Sequence, residues 1–364
     1  MTPALRKTEA VLVALLSVLS VGCGDANTVA EGGAGGGAGV VPVLPWPLEE
    51  FPALPSEAVD VPEERIELGR LLFSDPVLSI DDQTACVTCH SEFWGMSDAL
   101  AVGIGHDAGL VAGPDREGPN ISRRNSLALF NLAFRETLLW DGRATTLEEQ
   151  AIMPLLAREE MNIDPEVAVE RLARIPEYVE RFAVAFPEDP TVTVDHLASA
   201  LAAFERTLVS DRSLYDTYVA GAVEVFDDEL IDGMFRFAEM GCDGCHTPPL
   251  FESETFHDRN VPGSDDANDP GRAEETERFE DIGKFRTPTL RNAFVTEPYF
   301  HNGAVNGLRD AVEHELSQSG LEYDEEDVRL ILAFVDRALR DTSRALQRPR
   351  SVPSGLPLPL DRER

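Results

Sequence analysis

One pentapeptide occurs twice in this chain and constrains everything around it: Cys86-Val87-Thr88-Cys89-His90 and Cys242-Asp243-Gly244-Cys245-His246. Two thiols three positions apart can each form a thioether to the two vinyl groups of one haem, and the adjacent histidine then turns its imidazole onto the iron. A single copy is also compatible with a zinc site or a redox cysteine pair. Two copies behind an export signal, with no further cysteine in the body of the chain to complete a zinc site, read as two covalently bound haem c groups. His90 and His246 are the expected iron ligands.

The signal is at the N-terminus, where Arg6 and Lys7 precede an apolar run from Val11 to Val21. That run is too short to span a bilayer as a permanent helix and has the polarity of a secretory signal. It ends at Gly22 and Cys23, as a bacterial lipoprotein signal does, although Ser20 stands where leucine is usual. Residues 1–23 are therefore expected to be a lipoprotein or secretory signal, which places the protein in the periplasm with a lipid on Cys23 as its only contact with a membrane. A free or discarded thiol at Cys23 is the plainer reading. The net charge of −35, from 66 acids against 31 bases, excludes nucleic acid as a natural partner and favours an electron donor with a basic or dipolar face.

Residues 24–54 are rich in Gly, Ala and Pro and read as a tether, with order beginning near Pro55. Helical spacing follows at 63–73, 147–156 and 165–186, and an apolar stripe of Leu197, Leu201, Phe204 and Leu208 starts behind Asp195 as its cap. Residues 91–124 and 252–280 are polar, glycine-bearing loops suited to wrapping a cofactor. A helix over 227–240 stops at Gly241 immediately before the second motif, and a last helix covers 326–339. No alternating run is long enough for a sheet, so the class is mainly α: two cytochrome c-like haem domains, 55–221 and 222–345, joined at a haem-bridging interface, with a Pro-rich strap or tail at 346–364.

The remaining motifs resemble those of the bacterial di-haem cytochrome c peroxidases and their MauG-type relatives. They are Val102 to His106; Arg124 and Asn125 through Asn131; Trp140-Asp141-Gly142-Arg143 with Leu147 to Gln150; Glu160-Met161; Phe285 to Asn292; and Pro298 to Gly303. The likeness runs from about Pro62 to Asp341. It implies that the first haem is the peroxidatic centre, that His106 is a distal histidine leaving the iron when the other haem is reduced, and that Glu160 moves a proton between the peroxide oxygens while Gln150 orients the peroxide. It further implies that Trp140 is an electron relay between the haems, that His301 lies beside the second haem, and that Asn125, Thr296 and Pro298 hold a Ca2+ ion through neutral oxygens. Read without the resemblance, Glu160 is a solvated helix-end charge, Gln150 a surface amide, Trp140 a core residue, and the three calcium positions are turn residues.

The chain departs from that pattern in three places. Leu139 replaces a common Phe, and the run from His106 to Asn125 is long. Glu315 stands where the peroxidases place a methionine ligand to the second haem and MauG-type enzymes a tyrosine. With no methionine after Met240, the expectation is a second haem without thioether ligation and of low potential, with His314 preferred as ligand and Glu315 or water next. The function implied is reduction of hydrogen peroxide to water with electrons from a small c-type cytochrome or cupredoxin, with a homodimer admitted. The rivals are a MauG-like oxidant that modifies Trp or Tyr of a partner protein and a non-catalytic di-haem carrier or sensor.

Overall fold

The computed structural model describes residues 44–343 and 348–361. The expected signal, Cys23 and most of the tether lie outside the described residues. The described chain is helical, with α1 (Ser56–Val59), α2 (Glu63–Ser74), α3 (Cys86–Cys89), α4 (Leu147–Leu156), α5 (Pro165–Leu172), α6 (Pro176–Ala185), α7 (Val194–Glu205), α8 (Leu214–Val219), α9 (Asp228–Glu239), α10 (Ala273–Thr276), α11 (Leu308–Ser317) and α12 (Glu325–Ala333). Its strands are two residues each: β1 (Val111–Ala112) lies parallel to β4 (Leu360–Asp361), and β2 (Phe256–His257) is antiparallel to β3 (Phe285–Arg286). Among the described residues no helix is long and apolar enough to cross a membrane.

Local chemistry sets the helix ends. Residues 165–186 form two helices rather than one, because Pro176 lacks the N–H that would continue α5 and instead starts α6. Thr193, not Asp195, caps α7: its hydroxyl accepts from the His196 N–H at 3.1 Å. Asp227 caps α9 through the Leu230 N–H at 3.0 Å, and α9 closes against the left-handed Gly241 just before the second motif.

Two apolar cores result. The first gathers Leu72, Phe73, Tyr178, Phe182, Leu201 and Phe204, and the second Tyr215, Leu230, Met234, Phe237, Phe251, Ile331 and Phe334. The two repeat one packing device. A Cβ at Gly69 of α2 would strike the Ala200 carbonyl of α7, and one at Gly233 of α9 would strike the Leu330 carbonyl of α12. Each haem motif thus hangs from a helix pair in backbone contact. The apolar contacts change sides between Leu208 and Tyr215, upstream of the boundary expected at residue 221.

Both ends of the described chain cross to the distant core. Trp46 is buried edge-on against Phe237 and Phe251, and its indole N–H donates to the Tyr215 hydroxyl at 3.0 Å. Order therefore starts by Leu44, not Pro55, because burying an indole holds the end of the tether in place. The C-terminal segment returns to the first core, where Leu356 packs, Ser354 Oγ donates to Asp75 at 2.6 Å, Arg348 pairs with Glu92 at 2.8 Å and β4 lies beside β1. The Pro-rich end is a strap over its described length.

Candidate active site

The first motif begins as the short helix α3, and His90 follows it with its N–H bonded to the Cys86 carbonyl. His90 Nδ1 lies 3.0 Å from the Met96 carbonyl. A carbonyl only accepts, so Nδ1 carries the proton and Nε2 keeps the lone pair a metal needs. The second motif repeats this arrangement, with His246 Nδ1 3.2 Å from the Phe251 carbonyl. Burial pushes the Cys86 thiol up to about 12, with a further push from Glu205, and raises Cys89 and Cys242 as well. Such thiols are poor nucleophiles at neutral pH.

On α4, Gln150 is buried and its amide oxygen has no partner among the described residues. Glu160 is half-buried as a residue, but its carboxyl is enclosed. Burial raises its proton affinity, Arg143 partly offsets this, and Glu159 adds to it. Its charge is felt at both Cys86 and Cys89. His106 is joined to the same segment, since its N–H donates to the Glu160 carbonyl at 2.7 Å. Both nitrogens of its ring have protein neighbours. Nδ1 lies 2.9 Å from the Asp107 carboxylate and Nε2 3.2 Å from the Arg158 carbonyl. A metal bond at either nitrogen requires giving up one of these.

Sequence reasoning missed Arg116. Its buried guanidinium donates to the carbonyls of Ile104 at 2.7 Å, Gly109 at 2.9 Å and Val111 at 2.6 Å, to that of Gly105, and to Thr84 Oγ1 at 3.0 Å. It nails down the loop that carries His106. Only its position in a loop of irregular backbone, where carbonyls lack ladder partners, could have signalled this.

Trp140 lines the space beside the second motif. It is buried, its indole N–H donates to the Asn125 carbonyl at 2.9 Å, and its ring meets that of His301 edge-on with centroids 6.5 Å apart. The turn that follows is clamped at Asp141. Burial opposes ionisation there, but Arg124 and Arg143 override it and hold the carboxyl below its ordinary range. Arg124 also pairs with Asp269 at 2.6 Å, which ties the turn to the second half of the chain.

The second motif opens into a cavity of about 520 Å³ lined by Cys242, Cys245, His246, Trp140 and His301, a size that suits a cofactor. His301 stacks flat on Phe285 with centroids 3.6 Å apart, and burial lowers its pKa to about 4. Arg135 and Arg286 line the same space and pair with the buried Glu252, yet among the described residues Arg135 Nε and Arg286 Nε and Nη1 have no hydrogen-bond partner. Orphaned cationic donors beside a covalent attachment motif fit a group that brings its own carboxylates, as haem does. His257, a histidine the sequence leaves free for iron ligation or propionate contact, also lines the cavity, with Nε2 3.5 Å from Cys245 Sγ.

Helix α11 forms one wall through Leu308, Ala311, Val312, Glu315 and Leu316, a single stripe at helical spacing. His314, the preferred ligand, falls off this stripe and does not line the cavity. Its Nε2–H donates to the Arg259 carbonyl at 2.9 Å instead. Glu315 lines the cavity, bound by Arg259 Nε at 2.8 Å. The spacing carried that distinction in the sequence.

The three expected calcium positions are neighbours. Asn125 Nδ2 donates to the Leu100 carbonyl at 2.8 Å and approaches the Pro298 carbonyl at 3.4 Å, while Thr296 and Pro298 line the cavity beside it. Two carbonyls converge on one amide, and among the described residues no cluster of three or more His, Cys, Asp or Glu side chains offers a metal a richer site.

A mainly helical fold carrying two His-bearing haem-attachment motifs points to a di-haem c-type oxidoreductase. The family profile of di-haem cytochrome c peroxidase matches residues 63–224. The chain is 36% identical over 282 residues, 76% of its length and 78% of the relative's, to cytochrome c551 peroxidase of Pseudomonas aeruginosa. It is 34% identical to the methylamine utilization protein MauG of Methylorubrum extorquens over 69% of this chain and 68% of that one. Among solved structures, a MauG-like protein associated with microbial copper homeostasis superposes with a TM-score of 0.68 at 26% identity, covering 80% of this chain and 93% of that one. The chain belongs to the di-haem cytochrome c peroxidase family and is an enzyme of that family.

Proposed function

We propose that this protein reduces hydrogen peroxide to water in the periplasm, drawing electrons from a small c-type cytochrome or cupredoxin. One observation carries the reading: the enclosed Glu160 carboxyl, its proton affinity raised by burial, sits within charge range of Cys86 and Cys89 and is joined through its backbone to His106. When bound, the two haems supply the redox equivalents and the iron at which peroxide reacts. Cys86, Cys89 and His90 would hold one and Cys242, Cys245 and His246 the other. Glu160 takes a proton from the near oxygen of peroxide and returns it to the far one, a task suited to a carboxyl tuned above its usual range. The unpartnered Gln150 amide oxygen accepts a hydrogen bond from peroxide and orients it. His106 gives way for substrate, and Trp140 and His301 bridge toward the second site.

Asn125, Thr296 and Pro298 hold Ca2+ by turning oxygens, in place of the amide nitrogen, toward a common point. A lipid on Cys23 anchors the enzyme, and its working form is a homodimer. The test is to mix pure protein, made with cytochrome c maturation machinery, with reduced cytochrome c and peroxide. Peroxide-dependent oxidation is expected, and its absence even after partial reduction of the enzyme would reject the reading. A MauG-like oxidant is the second reading, favoured by Glu315 in a cavity where no methionine reaches from α11. It predicts oxidised Trp or Tyr in a partner protein instead of cytochrome oxidation.

A further inference from the structure

The α11 wall of the second cavity holds one polar side chain, Glu315, on an otherwise apolar stripe. The carboxylate is not free to leave that wall. Arg259 binds it through Nε at 2.8 Å and a second nitrogen at 2.7 Å, and the same nitrogen reaches the Glu315 carbonyl at 3.3 Å. His314 fixes the backbone of Arg259 from the neighbouring helix face, so α11 grips Arg259 at both ends. The cavity's other imidazoles are engaged as well, His257 with Thr255 Oγ1 at 2.9 Å and His301 with Ser264 Oγ at 3.3 Å. To ligate iron, Glu315 would have to give up charge-assisted bonds that rank among the strongest available to a side chain. The side chains of Arg259 and Glu315 are 32% and 36% exposed, so a small solute can reach the pair.

We propose that the second haem takes no ligand from α11 and instead binds a small monoanion of the azide or cyanide class, which the Arg259 guanidinium stabilises. This rests on the reading that Cys242, Cys245 and His246 carry a haem. Arg259 Nη1 has no protein partner among the described residues, so the guanidinium can keep Glu315 with one edge and meet an incoming anion with another. The carboxylate gives selectivity: it neutralises the arginine when the cavity is empty and disfavours multiply charged anions.

The test is an azide titration of the ferric protein, followed by absorption and electron paramagnetic resonance, on wild type, Arg259→Gln and Glu315→Met. Haem content is measured in each. We expect an azide complex that Glu315→Met abolishes, with a near-infrared iron–thioether band appearing in its place. Arg259→Gln should weaken that complex about tenfold to a hundredfold, the loss of one charged donor. Azide spectra identical in all three proteins overturn the inference, as does a native second haem already low-spin and inert to azide. Recovery of only one haem equivalent would instead sink the di-haem reading itself, and two equivalents without Glu315-dependent azide binding would sink this inference alone.

Discussion

The same five-residue motif sits in two unlike surroundings. Around Cys86 to His90 the chain is crossed by buried bonds, with Arg116 pinning the His106 loop, Glu160 within charge range, and the C-terminal strap laid alongside as β4. Around Cys242 to His246 it opens into a 520 Å³ cavity whose lining includes the ion pair of Arg259 and Glu315. The pentapeptide fixes attachment and one ligand. On the proposed reading, what surrounds it decides whether protons or electrons are handled there.

The sharpest way to break this contrast is Glu160→Gln. The substitution keeps the shape and removes the proton, so peroxide turnover should fall about 10²- to 10⁴-fold, with the absorption spectra of both haems unchanged. Unaltered turnover would mean that proton handling is not confined to the first site as assigned.

Next in size is Glu205→Gln. Glu205 lies on α7 at 4% exposure, with one oxygen unpartnered among the described residues, and its neighbour Arg206 spends its guanidinium on Glu148 at 2.8 Å. Burial raises its pKa from 4.5 to about 8, with Arg206 opposing and Glu148 adding to the shift. Between about pH 4.5 and pH 8 the native state therefore keeps a proton that the unfolded chain releases, and stability falls as pH rises through that window. The glutamine variant should escape this loss and gain on the order of 4 kcal/mol over wild type at pH 8, with little difference at pH 4.5. Urea unfolding at the two pH values checks it, and equal pH slopes would make Glu205 an ordinary structural carboxyl.

Much of this was legible in the sequence. The doubled motif, the helices over 147–156 and 228–239 and the lack, among the described residues, of any strand longer than two residues all follow from short-range spacing. Glu315 rather than His314 on the cavity wall was equally readable from the stripe Leu308, Ala311, Val312, Glu315, Leu316. The crossings were not: Trp46 meets Tyr215 across 169 positions and Ser354 meets Asp75 across 279. Nothing local marks such contacts. The role of Arg116 was hidden for a related reason, since its partners are backbone carbonyls, which every residue has. Arg116→Met should cost roughly 3 kcal/mol, because several buried acceptors lose their donor. Limited proteolysis should then cut between residues 104 and 111, near the first motif and not near the second. Resistance of that loop to cleavage would show that the strap, rather than Arg116, holds it.

The smallest effect on stability is expected at Trp140, the proposed relay between the two sites. Trp140→Phe keeps an aromatic ring against His301 and loses one N–H bond, 2.9 Å long, to the Asn125 carbonyl. That should cost only about 1 kcal/mol. If Trp140 is merely core, nothing else changes. If it relays electrons, Phe, which is far harder to oxidise than an indole, should slow re-reduction of the first haem after a peroxide pulse while the peroxide-binding step keeps its rate. Stopped-flow absorbance separates the two steps. Both rates unchanged would leave the two sites coupled by a path other than the indole, whereas a slowed second step alone would make Trp140 the point where two unlike surroundings work as one enzyme.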